Sequence, residues 1–141
     1  MSVKFVVYGN PRGKQRPRMC YVNGRTIVYT PKPTKEYERK IKKCYKAVSK
    51  NFFDKNVPVE VNIKAFFPIL KSISEKLKIK FLSGEILPTK PPDIDNVAKI
   101  VCDALNGIAF FDDSQVCRLI VEKCYSLIPK IVVELKEMET E

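Results

Sequence analysis

Pro91-Pro92-Asp93-Ile94-Asp95-Asn96-Val97-Ala98-Lys99 is followed by Asp103-Ala104-Leu105-Asn106-Gly107 and then by Asp112-Asp113-Ser114-Gln115-Val116. Together these segments gather five aspartates and Lys99 into about 20 positions of a chain whose formal net charge is +10. Asp93 and Asp95 stand two apart behind a double proline, which favours an extended backbone. Residues two apart on extended chain point the same way. Two carboxylates on one face, joined by a third from a later loop, are a donor set for a hard cation such as Mg2+. A basic chain that concentrates its acids in this way has the composition of a metal-dependent enzyme working on a polyanion.

The elements needed to position these residues are a helix and a loop. A helix from Asp95 or Asn96 to Asn106, with Gly107 just past its end, fits the capping preferences. Ile94, Val97, Val101, Ala104 and Ile108 then form an apolar stripe facing a core, while Asp95, Lys99 and Asp103 line another face. Lys99 stands one turn from Asp95, within reach of a phosphate bound beside that carboxylate. The helix is about 18 Å long at ~1.5 Å per residue, and the six steps from Gly107 to Asp113 can span ~20 Å. The loop can therefore return Asp112 or Asp113 to the helix N-terminus. A purely structural reading competes: Asp95 as an N-cap, Asp93 solvated, Lys99 paired with Asp103, and Asp112-Asp113 as a turn. Asn96 serves as a cap or as a residue that orients a ligand.

Composition narrows the chemistry. The 141 residues contain no histidine, which removes Ser-His and Cys-His nucleophiles and histidine-based nuclease schemes. Hydrolysis is left to carboxylates, lysines and a metal. The five cysteines are odd in number and lack Cys-x-x-Cys spacing, so neither a disulfide framework nor a zinc site is expected. The apolar fraction is 45%, enough for one globular domain over 1–141, and no apolar run approaches the ~20 residues of a membrane span. The N-terminus reads as a strand and not a secretory signal, making the cytosol the expected location. Charge is unevenly spread: residues 1–50 carry a balance of +12 and residues 51–141 one of −2. That asymmetry fits a nucleic-acid footprint beside a separate acidic site; a basic helix serving only solubility is the bland alternative.

Along the chain, 3–8 reads as a strand and Gly9 to Arg18 as a basic loop. Asn23-Gly24-Arg25 joins two short strands, Met19–Val22 and Thr26–Tyr29, in a hairpin. Thr34 is expected to cap a helix to about Lys50, with Tyr37, Ile41, Cys44, Tyr45 and Val48 as its apolar stripe. Val57 to Phe67 alternates as a strand, and Ser72 to Leu82 reads as a short amphipathic helix carrying Ile73, Leu77 and Phe81. Val116 to Tyr125 and Lys130 to Leu135 are expected as strands, antiparallel across Ser126–Pro129. The acidic tail 137–141 is expected to fray.

The motifs resemble those of the RusA family of Holliday junction resolvases. The likeness is carried by Pro92-Asp93-Ile94-Asp95-Asn96, Lys99, Asp103-Ala104-Leu105-Asn106-Gly107 and Asp112-Asp113-Ser114-Gln115-Val116. Gly9-Asn10-Pro11, Lys14-Gln15-Arg16-Pro17-Arg18 and Tyr29-Thr30-Pro31 are also similar to segments of its members. The resemblance implies an α+β fold with a mixed, largely antiparallel sheet and helices packed on it. It implies a homodimeric, Mg2+-dependent endonuclease cutting branched DNA, above all four-way junctions, from a bacterium or phage. By motif position it implies metal ligation by Asp93, Asp95 and Asp113, with Asp112 less secure, and Lys99 as a catalytic cation. Arg12, Lys14, Arg16 and Arg18 would then contact backbone phosphates. A nuclease for flaps or forks and a non-catalytic DNA-binding module are the rival expectations.

Overall fold

A computed structural model describes residues 1–139. Seven-residue β1 (Ser2–Tyr8) opens the chain, followed by a hairpin of β2 (Arg18–Val22) and β3 (Arg25–Tyr29) and by α1 (Lys32–Val48). Strand β4 (Val59–Pro68) precedes α2 (Glu75–Leu82) and α3 (Ile94–Leu105), and β5 (Val116–Ser126) and β6 (Lys130–Glu137) close the fold. Four strands form one sheet in the order β1-β6-β4-β5. Two pairings are antiparallel and β4–β5 is parallel. The architecture is α+β with a mixed sheet, as expected.

Alternation decides which face is covered. Val3, Phe5 and Val7 of β1 lie in register with Leu135, Val133 and Ile131 of β6, and these with Val61, Ile63 and Ala65 of β4. All nine are buried, and period-2 geometry puts them on one side of the sheet. Helices α1 and α3 cover that side with Tyr37, Ile41 and Tyr45 from one and Val97, Ile100, Val101, Ala104 and Leu105 from the other. Tyr45 meets Phe5 edge-on at 5.6 Å. Loss of the fully buried Ile41 side chain would cost about 2–5 kcal/mol. This packing fixes α3, which carries most of the acidic motif.

Several expectations are corrected. Strands β5 and β6 run antiparallel but do not pair, because β4 lies between them; β4 offers a continuous apolar face that each of them can border. Helix α1 begins at Lys32 with Pro31 as N-cap, and Thr34 is buried inside its first turn and caps nothing. Pro33 supplies the preset φ that a first turn accepts. Val48 and Ile94, assigned to apolar stripes, are exposed, each at the end of its helix. Helix α2 starts at Glu75 behind a Ser74 cap and buries no residue, though Phe81 stacks edge-on against Tyr125 at 4.5 Å. The tail does not fray at once: Glu137 N–H donates to Met1 O at 3.0 Å and Met138 N–H to Pro58 O at 2.9 Å. Residues 140 and 141 lie outside the described residues.

Candidate active site and nucleic-acid interface

Asp93 and Asp95 do not share an extended segment. Asp93 is the N-cap of α3, with extended backbone, and Asp95 lies in the first helical turn. Val97 N–H closes that turn on Asp93 O at 3.1 Å. The Asp93 side chain makes no capping bond, so the first-turn N–H groups and the carboxylate are both left free at the helix mouth. Asp93 and Asp95 are exposed, and neither enters an ion pair among the described residues. The positive end of the helix offsets the cost of holding negative charge there.

The basic loop lies against this mouth. Lys14 N–H donates to Asn96 O at 2.9 Å. A Cβ on Gly13 would stand 2.8 Å from Asn96 Cβ and 3.0 Å from Pro92 Cβ, so only glycine lets the loop approach α3 this closely. Loop and helix enclose an open groove of about 420 Å3, with Arg12, Lys14, Gln15, Thr34, Asp93 and Asn96 on its walls. The Thr34 hydroxyl is buried without a hydrogen-bond partner.

Lys14 is placed otherwise than its expected role as a phosphate contact. Its ammonium bonds Glu38 of α1 at 2.5 Å and lies 3.3 Å from Asp103 of α3. Burial by itself would lower its pKa, but those two carboxylates outweigh that and raise it. The residue ties the loop to both helices. Arg12, Arg16 and Arg18 are exposed and carry no ion pair among the described residues. Lys99 points largely to solvent and pairs with Asp103 at 3.6 Å, which realises the structural reading of that helix face.

The two neighbouring aspartates of the later motif have different jobs. Asp112 Oδ2 accepts from Ser114 N–H at 3.3 Å, and Asp112 N–H donates to Gln115 Oε1 at 3.1 Å, a reciprocal cap. The bond from Ser114 holds the Asp112 carboxyl below the usual range. Gln115, nearly buried, also donates through Nε2 to Asp54 O at 2.7 Å and Val57 O at 3.1 Å. These bonds fix the turn to the segment before β4 and leave the exposed Asp113 carboxylate free. Burial pushes the Cys102 thiol up to about 11, and the Asp113 charge is the next contributor, ahead of Asp103. The intervening residues are folded into tight turns, with Ala109 N–H on Leu105 O and Gly107 N–H on Phe110 O, both at 2.9 Å. The loop thus does not run extended back to Asp93. Among the described residues no three acidic or cysteine side chains converge on one metal-sized point.

Sequence reasoning missed two residues that build the site. Gln115 was visible only as part of a motif; a polar residue with three backbone partners leaves no pattern of its own. Gly13 was visible as a loop glycine, but the close approach to α3 that requires it is long-range.

The donor set Asp93, Asp95 and Asp113 is all carboxylate oxygen, exposed and without cation partners, which matches the chemistry of a hard divalent ion. A family model described as endodeoxyribonuclease RusA matches residues 8–136. The Bacillus subtilis (strain 168) "Uncharacterized protein YqaN" is 36% identical over 141 residues, covering 96% of each chain. A Lactococcus phage r1t protein named crossover junction endodeoxyribonuclease rusA is 27% identical over 129 residues, covering 91% of each. With the family match running through the basic loop, α3 and the Asp112-Asp113 turn, the chain belongs to the RusA endodeoxyribonuclease family.

Proposed function

We propose that this protein is a Mg2+-dependent endodeoxyribonuclease that cuts branched DNA, four-way junctions in preference, and works as a homodimer. The observation that carries this reading is the pair of unpaired carboxylates at the mouth of α3, Asp93 and Asp95, with the exposed Asp113 in the later turn, beside a loop of unpaired arginines. Such a juxtaposition attracts a polyanion and puts Asp93 and Arg12 on the walls of one groove. Asp93, Asp95 and Asp113, which do not converge among the described residues, would have to be drawn together to hold the ion, with Asp112 fixing the turn. When bound, Mg2+ lowers the pKa of an attacking water and stabilises charge on phosphate oxygens.

The chain's own residues do the rest. Arg12, Arg16 and Arg18 neutralise backbone phosphates and seat the strand across the groove. Lys14, held by Glu38 and Asp103, keeps that loop in place. Lys99 exchanges its loose contact with Asp103 for the scissile phosphate, where a compact ammonium balances developing negative charge. The uncapped N–H groups of α3 offer additional donors for a phosphate oxygen. Gln115 holds Asp113 from behind. A two-fold dimer would present two such grooves to a junction of matching symmetry.

The test is to incubate the protein with a synthetic four-way junction, a flap, a fork and linear duplex, in Mg2+ and in EDTA. Mg2+-dependent cutting that is fastest on the four-way junction is expected. Faster cutting of flaps or forks would reassign the substrate, and tight binding without cutting in any metal would make the chain a binding module.

A further inference from the structure

The hairpin of β2 and β3 has no place in the core or in the groove. All ten of its strand residues are exposed. Soluble proteins seldom leave an apolar strip uncovered without a use for it. Asn23 and Gly24 close the hairpin in a two-residue turn with φ of 50° and 75°, the geometry that matches strand twist. Directly opposed residues of an antiparallel pair share a face. Met19 faces Val28 and Tyr21 faces Thr26, so Met19, Tyr21 and Val28 form one apolar face. Their exposures of 72%, 76% and 63% are too high for residues that serve the fold. The other face carries Arg18 at its base and Arg25 at its tip, with Cys20, Val22, Ile27 and Tyr29 between and opposite them.

Charge and position identify the occupant. From Gly9 to Lys35 the chain has seven Lys and Arg and no Asp or Glu. Both legs of the hairpin are rooted at the groove: Gln15 lines it before β2, and Pro33 and Thr34 line it after β3. The ribbon therefore rises from the edge of the groove that contains Asp93. A two-stranded ribbon is narrow enough to enter a DNA groove, and exposed aromatic and thioether side chains stack on or wedge between bases.

We propose that the β2–β3 hairpin is a base-contacting prong: Met19, Tyr21 and Val28 stack on unpaired bases at a DNA branch point while Arg18 and Arg25 hold the flanking phosphates. This rests on the branched-DNA reading above and adds to it the element that senses the branch. Duplex bases are stacked on one another and offer the prong little, so it favours a branch over a linear segment. The ionic residues supply general affinity; the apolar face supplies selectivity.

The experiment compares wild type, Tyr21→Ala, Tyr21→Phe and Met19→Ser on a four-way junction carrying 2-aminopurine at the crossover, in EDTA so that nothing is cut. Linear duplex is the control, and sedimentation is run on the free proteins. These side chains are exposed, so the variants should fold as wild type. Wild type is expected to raise the 2-aminopurine signal on binding. Tyr21→Ala should weaken junction binding about tenfold, as loss of one stacked base contact does. Its duplex affinity should change little and its salt slope not at all. Met19→Ser should act in the same direction, and Tyr21→Phe should match wild type. Equal junction affinity for wild type, Tyr21→Ala and Met19→Ser would overturn the prong alone. A changed oligomeric state with unchanged junction affinity would also overturn it and assign the face to a second copy of the chain. Failure of wild type to bind any branched DNA would overturn the functional reading and the prong with it.

Discussion

At the scale of residues, the neighbours Asp112 and Asp113 separate structure from chemistry most sharply. Asp112 builds a cap and Asp113 faces outward. Asparagine caps about as well as aspartate, so Asp112→Asn should cut a junction within a few-fold of wild type. Asp113→Asn should lose at least about tenfold through loss of a metal ligand. Single-turnover cleavage by the two variants checks this, and equal losses would contradict the division of labour. Lys99 offers a second contrast. Its pair with Asp103 on the helix surface is worth only ~0.2–0.5 kcal/mol. A cation aimed at developing charge is worth about 10²–10³ in rate, by analogy with a lost oxyanion donor. Lys99→Ala should therefore melt almost as wild type, bind the junction within a few-fold, and cut far more slowly. Normal cutting with a slightly earlier melt would leave only the ion pair. Asp93, Asp95, Lys99 and Asp113 stand out in the sequence as residue types at particular spacings. Lys14 does not, because one lysine in a basic loop looks like the next until Glu38 and Asp103 are placed beside it.

At the scale of elements, the site depends on how a loop is held against two helices. Lys14 is the tie, with Glu38 on α1 and Asp103 on α3. Lys14→Met should destabilise the protein by about 1–2 kcal/mol at neutral pH, discounted for the solvent that reaches the cluster. Because the folded-state pKa of Lys14 is raised above 10.5, the stability it adds is fully present below that value. It is lost as pH rises through the folded pKa. The difference in melting temperature between wild type and Lys14→Met should thus be constant through neutral pH and shrink above about pH 10.5. A gap that widens with pH would contradict the tie. Local patterning made most elements readable: the alternation of Val59, Val61, Ile63 and Ala65, the Asn23-Gly24 turn, and the α3 stripe are short-range signals. The insertion of β4 between β5 and β6 is not, since two strands joined by a few residues look like a hairpin whenever a third strand is out of view. The start of α1 is misread for a similar reason. Thr34 has a capping side chain, but Pro31 and Pro33 already set the first turn, and the threonine is drawn inward.

At the scale of the whole molecule, the uneven charge becomes a surface on which exposed arginines border an acidic helix. The proposed function assigns long-range attraction and cutting to different residues. Neutralising Arg16 and Arg18 together should weaken four-way and linear DNA alike, and should lower the salt slope of log K by about 0.9 per lost phosphate contact. An unchanged slope would move the footprint to the exposed lysines of α1. No helix among the described residues is long and apolar enough to cross a membrane, in keeping with the composition. The class of fold and the position of the acidic helix could be read from sequence; the tight turns after Leu105 could not, because they are held by a bond from Phe53 N–H to Ala109 O, contributed by a distant segment. The central claim is that Asp93 serves cutting while the arginines serve binding. It is tested most directly by Asp93→Asn on a four-way junction, measuring equilibrium binding in EDTA and single-turnover cleavage in saturating Mg2+. Binding equal to or tighter than wild type is predicted, since a negative charge near the phosphate is removed, with cleavage below about a tenth of the wild-type rate. Cleavage near the wild-type rate, or loss of binding and cutting together, would contradict it.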